Sequence, residues 1–304
     1  EGQPVPQGLD EDVSILQEPL QNIYLVASGV MDMFASLDAV GQIRFSGQKQ
    51  ENWYIQTAKD AMAAGDMIYA GKYSKPDYEL LVSEGCDLAI ENRMITHSPE
   101  VVEMLQSFDI PVMIEYSSYE QHPLGKVEWV KFFGALTGKE AKAEEAFAEQ
   151  TEILEEVESG EKTGKTIAFF YVTSNGLIQV RQSTDYIPKL IELAGGRYIF
   201  ENLEDSGSGR STLNMQVEDF YAGAKDADIL IYNSSIDGGV TTVDELIGKC
   251  NILKDFKAVQ EGQVYCTTND MYQQSMAVGY LLQDMHTVLT DDDTAKLRYL
   301  FLLQ

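Results

Sequence analysis

Some residue patterns in this chain have types and spacing that could do chemistry. Ser159 to Thr166 reads SGEKTGKT, with the glycines, lysine and hydroxyl of a phosphate-binding loop. That loop needs four residues between its glycines and must follow a strand. Here three residues separate Gly160 from Gly164, and a strand signal follows the segment. It reads as a helix-to-strand connector. No G-x-S-x-G elbow occurs, so an α/β-hydrolase nucleophile is unsupported. No H-E-x-x-H occurs either, and the three histidines, His97, His122 and His286, fall on separate elements. A three-histidine zinc site would need them to converge. Single ligation of haem or an iron chelate by His97 or His122 is the simpler use, and a polar residue near a helix start is the ordinary one. Cys86, Cys250 and Cys266 contain no CxxC pair, which excludes zinc-ribbon and dithiol redox motifs. A Cys250–Cys266 pairing stays open, and Cys86 suits a small buried hydrophobe.

The elements that position such residues follow from hydrophobic periodicity. Residues 23–27 (IYLVA) form a strand, Ser28-Gly29 a turn, and Val30, Phe34 and Leu37 a helical face. The unit recurs with a strand at 87–90, a helix over Pro99–Ser107 and a strand at 111–114. Strands alternating with helices imply a parallel sheet covered on both faces. Residues 123–159 carry helical spacing with no strand signal and read as one long or broken helix, Gly138 permitting a kink. A second α/β series begins at Thr166. It has a strand at 166–173, a turn at Ser174-Asn175-Gly176 and a returning strand at 177–181. Asp185 caps a helix to Leu193, 217–224 is helical, and strands fall at 228–232 and 263–265. Helices over 275–289 and 294–303 close the chain, and 204–212 reads as a mobile loop by composition. The expected plan is α/β: two lobes with mainly parallel sheets, joined by one long helix, with a ligand cleft between them. The expected divisions are a flexible leader at 1–21, an N-terminal lobe at 22–121, a connecting helix at 122–162 and a C-terminal lobe at 163–304.

Composition removes whole classes. The chain has 304 residues, 22 Lys plus Arg against 49 Asp plus Glu, and a net charge of −27. Phosphate backbones are bound by clustered cations, so nucleic acid is an unsuitable partner. The same charge disfavours adsorption to anionic lipid. The longest apolar runs fall well short of the roughly 18 residues that span a bilayer.

Ligands of open α/β sheets bind beyond the carboxyl ends of the strands. In the first lobe those ends bring Ser28 and Met31, then Trp53 and Tyr54, then Lys72 and Tyr73. Glu91, Asn92, Arg93, Met94 and His97 follow, and then Tyr116 to Tyr119. In the second they bring Tyr171, Arg181, Tyr186, Arg210, Asn233, Ser234, Asp270, Met271 and Tyr272. Tyr, Trp and Met suit a large greasy ligand, and Arg93 and Arg181 suit residual negative charge on it.

Four segments, in this order around a long helix, resemble one family. They are IYLVASGVMDMFASLDAVGQI, PDYELLVSEGCDLAIENRMITHSPEVVEMLQSFDIPVMIEYSSYE, DYIPKLIELAGGRYIF, and VEDFYAGAKDADILIYNSS followed by DFKAVQEGQVY. Together they are similar to the helical-backbone class of ABC-importer substrate-binding proteins, which capture iron–siderophore complexes, haem and cobalamin. The resemblance spans about residues 20–290. Departures are Cys86 and Ala227 where the family has Pro before Asp, and Asp109 where it has Gly.

The resemblance implies two acidic permease-docking points, Glu79 and Glu218, the latter about two residues further from its strand than is usual. It implies an extracytoplasmic, monomeric, non-enzymatic receptor whose precursor carries a secretion signal, with the polar leader as a tether from a lipidated cysteine. It implies no intrinsic cofactor and a bulky metal chelate as cargo, a ferric siderophore first, haem or cobalamin next. The competing readings are a two-lobed α/β metal-cofactor enzyme or reductase, and a sugar or amino-acid receptor with several chain crossings. The first needs grouped Cys or His ligands or a nucleophile–base pair. The second lacks the long helix.

Overall fold

A computed structural model describes residues 4–10, 13–16, 20–204, 211–236 and 239–304. The chain is an α/β fold with two main sheets, each inside its own compact unit. One unit comprises Glu1–Ser118, Glu128–Ala148 and Gln273–Met276, and the other Tyr119–Val127, Glu149–Tyr272 and Ala277–Gln304.

The first sheet contains β1 (Ile23–Leu25), β2 (Ile43–Ser46), β3 (Ile68–Tyr69), β4 (Leu88–Asn92) and β5 (Val112–Glu115). Its order is β3-β2-β1-β4-β5 and every pairing is parallel. Successive side chains point to opposite faces. Tyr24, Phe45 and Ala89 enter one core with Leu81, Ile95, Val101 and Leu105. Ile23, Leu25, Leu88 and Ile90 are buried as well. Burial on both faces is why these strands read as continuous apolar runs. Helices α1 (Met31–Ser36), α2 (Gln56–Ala64), α3 (Tyr78–Ser83) and α4 (Pro99–Ser107) fill the crossovers. Strand order reverses between β1 and β4, which makes their carboxyl ends the switch point where such sheets take ligands.

The stretch expected as one long or broken helix is broken at Gly138. Helix α5 covers Pro123–Thr137 and α6 covers Glu140–Glu158. Gly138 between them has φ +67°, a left-handed conformation that costs glycine little. Nor is 122–162 a segment apart. The head of α5 groups with the second unit, residues 128–148 with the first, and Gln273–Met276 also with the first.

The second sheet contains β6 (Thr166–Val172), β7 (Ile178–Arg181), β8 (Arg197–Tyr198), β9 (Thr212–Met215), β10 (Ile229–Tyr232), β11 (Val264–Thr267) and β12 (Leu300–Leu302). Its order is β9-β7-β6-β10-β11-β12, with β8 also beside β6. Strands β6, β8, β10 and β11 run parallel, whereas β7, β9 and β12 are each antiparallel to a neighbour. Helices α7 (Tyr186–Leu193), α8 (Val217–Ala224), α9 (Val243–Lys249), α10 (Lys257–Gln260) and α11 (Val278–Thr290) accompany it. Phe170, Phe220 and Phe256 form the aromatic spine of its core, with successive ring centroids 4.8 and 5.5 Å apart.

The helix expected over 294–303 is absent. A single 3₁₀ turn at Thr294–Lys296 is followed by β12. The cause is Asp284, 3 % exposed, whose carboxylate accepts the amides of Arg298, Tyr299 and Leu300 at 2.6–3.1 Å. That clamp leads the chain into pairing with β11. Cys250 and Cys266 both lie in the second core and are not joined by a disulfide.

Candidate functional site

In the first unit the loop after β1 lies against the end of β4, with the amides of Val26 and Ala27 both donating to the Ile90 carbonyl. Ser28 opens a 3₁₀ turn there and is half-buried. Next to it, Gly47 after β2 donates its amide to the Leu25 carbonyl, and a Cβ on Gly47 would lie 2.8 Å from the Val26 Cα. Only glycine permits that approach.

Met31 and Trp53 do not line a surface. Met31 is fully buried in α1, and Trp53 is 1 % exposed, its indole N–H donating to Ser46 Oγ at 3.1 Å. That anchor turns the next side chain outward, and Tyr54 is 44 % exposed with Lys59 near its ring. Gln273 supports this turn. Its side-chain oxygen accepts the Tyr54 amide at 2.8 Å, and its Nε2 donates to the Asn52 carbonyl at 2.8 Å. Nothing in the local sequence marked Gln273. Met276 adds a second tie, its amide donating to Asp32 at 2.7 Å.

At the end of β4, Asn92 caps a 3₁₀ turn over Arg93–His97 by accepting the Met94 amide at 2.9 Å. Residues three apart in a 3₁₀ helix eclipse. The turn therefore presents the Met94 thioether and the His97 imidazole side by side, both exposed, while Arg93 is half-buried. Glu115 at the end of β5 accepts both the amide and hydroxyl of Ser117, at 2.8 and 2.6 Å, and holds Tyr116 outward. Lys72 is exposed on a short hairpin, and Tyr73 leans against the first core. One strand-end residue is anomalous. Glu91 is fully buried, neither carboxyl oxygen has a hydrogen-bond partner, and burial pushes its pKa up to about 8.

In the second unit, Tyr171, Arg181, Thr212 and Asn233 line a small cleft at the ends of β6, β7, β9 and β10. Arg181 lies 3.5 Å from Asp185 and over the Phe169 ring, with 18 % of its side chain exposed. Burial alone would lower its pKa. Asp185, Tyr186 and Tyr198 around it more than offset this and hold it above the ordinary range. Tyr186, 8 % exposed, carries the ammonium of Lys126 over its ring at 4.5 Å. Asn233 accepts from the amide and hydroxyl of Ser235, and Ser234 bonds Thr267 through its amide and hydroxyl. Both are tied into the strand ends. Asp270 is half-buried, Met271 is 8 % exposed, and Tyr272 and Tyr119 are exposed. Arg210 and the rest of 205–210 lie outside the described residues. Among the described residues, no group of three or more His, Cys, Asp or Glu side chains could hold a metal ion.

Glu79 and Glu218 occupy matching places. Each is exposed, and each is the second residue of a helix that precedes a buried strand, α3 before β4 and α8 before β10. A carboxylate is favoured in a first helical turn.

Comparison with known proteins matches residues 28–271 to the profile of the periplasmic binding protein family. This chain belongs to that family. An uncharacterized lipoprotein of Methanocaldococcus jannaschii is 25% identical over 94% of this chain and 70% of its own length. The periplasmic haem-binding protein HutB of Vibrio cholerae shares the fold with a TM-score of 0.68 at 15% identity, over 88% of this chain and 98% of that one. An ABC-type Fe3+-hydroxamate transport protein of Saccharomonospora viridis does so with a TM-score of 0.65 at 16% identity, over 89% and 93%. At such identities the likeness establishes architecture. No helix among the described residues of this periplasmic binding protein is long and apolar enough to cross a membrane.

Proposed function

We propose that this periplasmic binding protein captures a metal chelate outside the membrane, a ferric siderophore first and haem or cobalamin next, and delivers it to an ABC permease. The observation that carries the reading is the set of side chains at the strand ends of a fold built to bind there. Tyr54, Met94, His97 and Tyr116 in the first unit, and Tyr119, Tyr171 and Tyr272 in the second, are exposed or half-buried aromatics, a thioether and an imidazole. Such groups suit a bulky, partly apolar ligand. A bare ion would instead need clustered carboxylates and imidazoles.

Glu79 and Glu218 are the proposed docking acids, where arginines of a permease would pair with them. A lipid tether, as on the lipoprotein relative, would keep the receptor at the membrane surface. The test is a thermal-shift screen of the purified protein against ferric siderophores, haemin, cobalamins and free metals. A ligand that binds only the folded state raises the melting temperature with ln(1 + [L]/Kd). The expected result is a dose-dependent rise with one chelate class. A rise with bare zinc or a small sugar, and with no chelate, refutes the cargo.

A further inference from the structure

Among the described residues, Glu91 is the one carboxylate that is buried with neither oxygen hydrogen-bonded. It lies two residues beyond Ala89 on β4, so both side chains leave the same face of the sheet. Ala89 is level with Tyr24 of β1 in the parallel register, and both enter the first core. Glu91 and Tyr24 are thus diagonal neighbours on adjacent strands. The strand spacing and rise put their Cβ atoms roughly 8 Å apart, within the combined reach of a glutamate and a tyrosine. The charge of the Glu91 carboxylate acts on the Tyr24 hydroxyl, and on that of Tyr78 at the head of α3.

The Tyr24 hydroxyl already holds something. It donates to the Gly71 carbonyl at 2.9 Å, reaching from the sheet to a short hairpin. In that hairpin Gly71 pairs with Pro76 and Lys72 with Lys75. The turn is tight, with Gly71 at φ +88° and no room for a Cβ against the Lys75 carbonyl. Burial and Glu91 both hold the Tyr24 hydroxyl far above its ordinary pKa, so it stays a proton donor in alkali. A neutral acid tolerates a buried site far better than an ionised one, which needs a donor. A hydrogen bond to a charged acceptor is roughly twice as strong as one to a neutral carbonyl. Once Glu91 ionises, it is therefore a better acceptor for Tyr24 than Gly71 is.

We propose that Glu91 and Tyr24 form a proton-controlled latch on the hairpin that carries Lys72 and Tyr73. While the acid is neutral, the Tyr24 hydroxyl holds the hairpin through Gly71. When the acid loses its proton to water, the hydroxyl turns to the carboxylate and the hairpin is released. Burial places this change near pH 8, latched below and released above. Tyr24 faces the acid from β1 and Tyr78 from α3, and about those two hydroxyls lie Tyr69 of β3, Cys86 ahead of β4 and Glu100 of α4. Tyr78 packs on Phe108 at 6.0 Å between ring centroids. The latch goes beyond the chelate reading and does not depend on it.

The experiment is limited trypsin digestion of the full chain at pH 6.5 and 9, followed by mass spectrometry. Rates are normalised to trypsin's activity on a small lysyl ester at each pH. Trypsin cuts after lysine, so scission of the Lys72–Tyr73 bond reports opening of the hairpin. Scission after Lys49, exposed in the same unit, reports general unfolding. The ionised fraction of an acid near pH 8 grows roughly thirtyfold over this range. The expected result is that wild-type scission at Lys72–Tyr73 quickens at least tenfold from pH 6.5 to 9, with Lys49 unchanged. Glu91→Gln should stay at the slow wild-type rate at both pH values. Tyr24→Phe, which lacks the hydroxyl, should be fast at both, and Tyr78→Phe should keep the wild-type step. Scission no faster at pH 9 in the wild type would overturn the latch, and so would a step that survives in Glu91→Gln. Slow scission of Tyr24→Phe at pH 6.5, a step lost in Tyr78→Phe, or an equal rise after Lys49 would overturn it as well.

Discussion

Replacing Glu91 by glutamine should stabilise the first unit, and by an amount that depends on pH. The Glu91 carboxyl sits at the end of β4 with no exposure and no donor to either oxygen. The hydroxyls of Tyr24 and Tyr78, held above the ordinary range chiefly by burial, are pushed further up by the charge of this carboxylate. Burial raises its pKa from 4.5 to about 8. The folded chain then holds a proton that the unfolded chain has released. Stability from this group is complete below pH 4.5 and declines as pH rises to about 8, above which both states are ionised. One pKa unit is about 1.4 kcal/mol, so the whole decline is roughly 5 kcal/mol and about 3 of it is spent by pH 7. Glutamine has the neutral acid's shape and cannot ionise.

With a urea slope of about 1–3 kcal/mol/M, Glu91→Gln should raise the midpoint at pH 7 by about 1–2 M or more. The two curves should meet near pH 4.5. Both tryptophans, Trp53 and Trp129, lie in the first unit, so their fluorescence during urea unfolding reports on it. A midpoint difference that stays constant from pH 4.5 to 8 would refute the assignment of a protonated buried acid.

Three further outcomes are expected. Asp284→Ala removes the acceptor for three amides and should cost about 3 kcal/mol or more, read as a lower melting temperature and loss of exchange protection at Leu300 and Leu302. Gln273→Ala should leave the fold intact and free the Asn52–Tyr54 turn, weakening chelate affinity about tenfold by titration, since one side chain holds two backbone groups there. Charge reversal at both Glu79 and Glu218, each exposed, should abolish uptake through the cognate permease and leave chelate affinity unchanged; surviving uptake would remove them as docking acids.

The α/β architecture was legible because its strands are buried on both faces and its helices carry capping signals. Pro99 and Asp185 mark the starts of α4 and α7, and Ser174-Asn175-Gly176 marks the turn into β7. Strands β3 and β8 escaped notice because two residues, one of them exposed, leave no period to read. The end of the chain misled for a different reason. Leu297, Leu300, Phe301 and Leu303 are spaced as a helix face would be, and only a carboxylate from α11 selects the extended form.

Reading the site from strand ends could not tell which way the residues there point. Met31, Trp53 and Met271 belong to types that serve cores and ligands equally, and they are buried. Glu91 shows where local sequence carries least. From sequence it reads as one of several residues at a strand end, whereas the fold buries it completely. A carboxyl can shed its charge by keeping a proton within the physiological range, so Glu91 needs no partner to be buried, and its titration sets the pH dependence of stability in the unit around it.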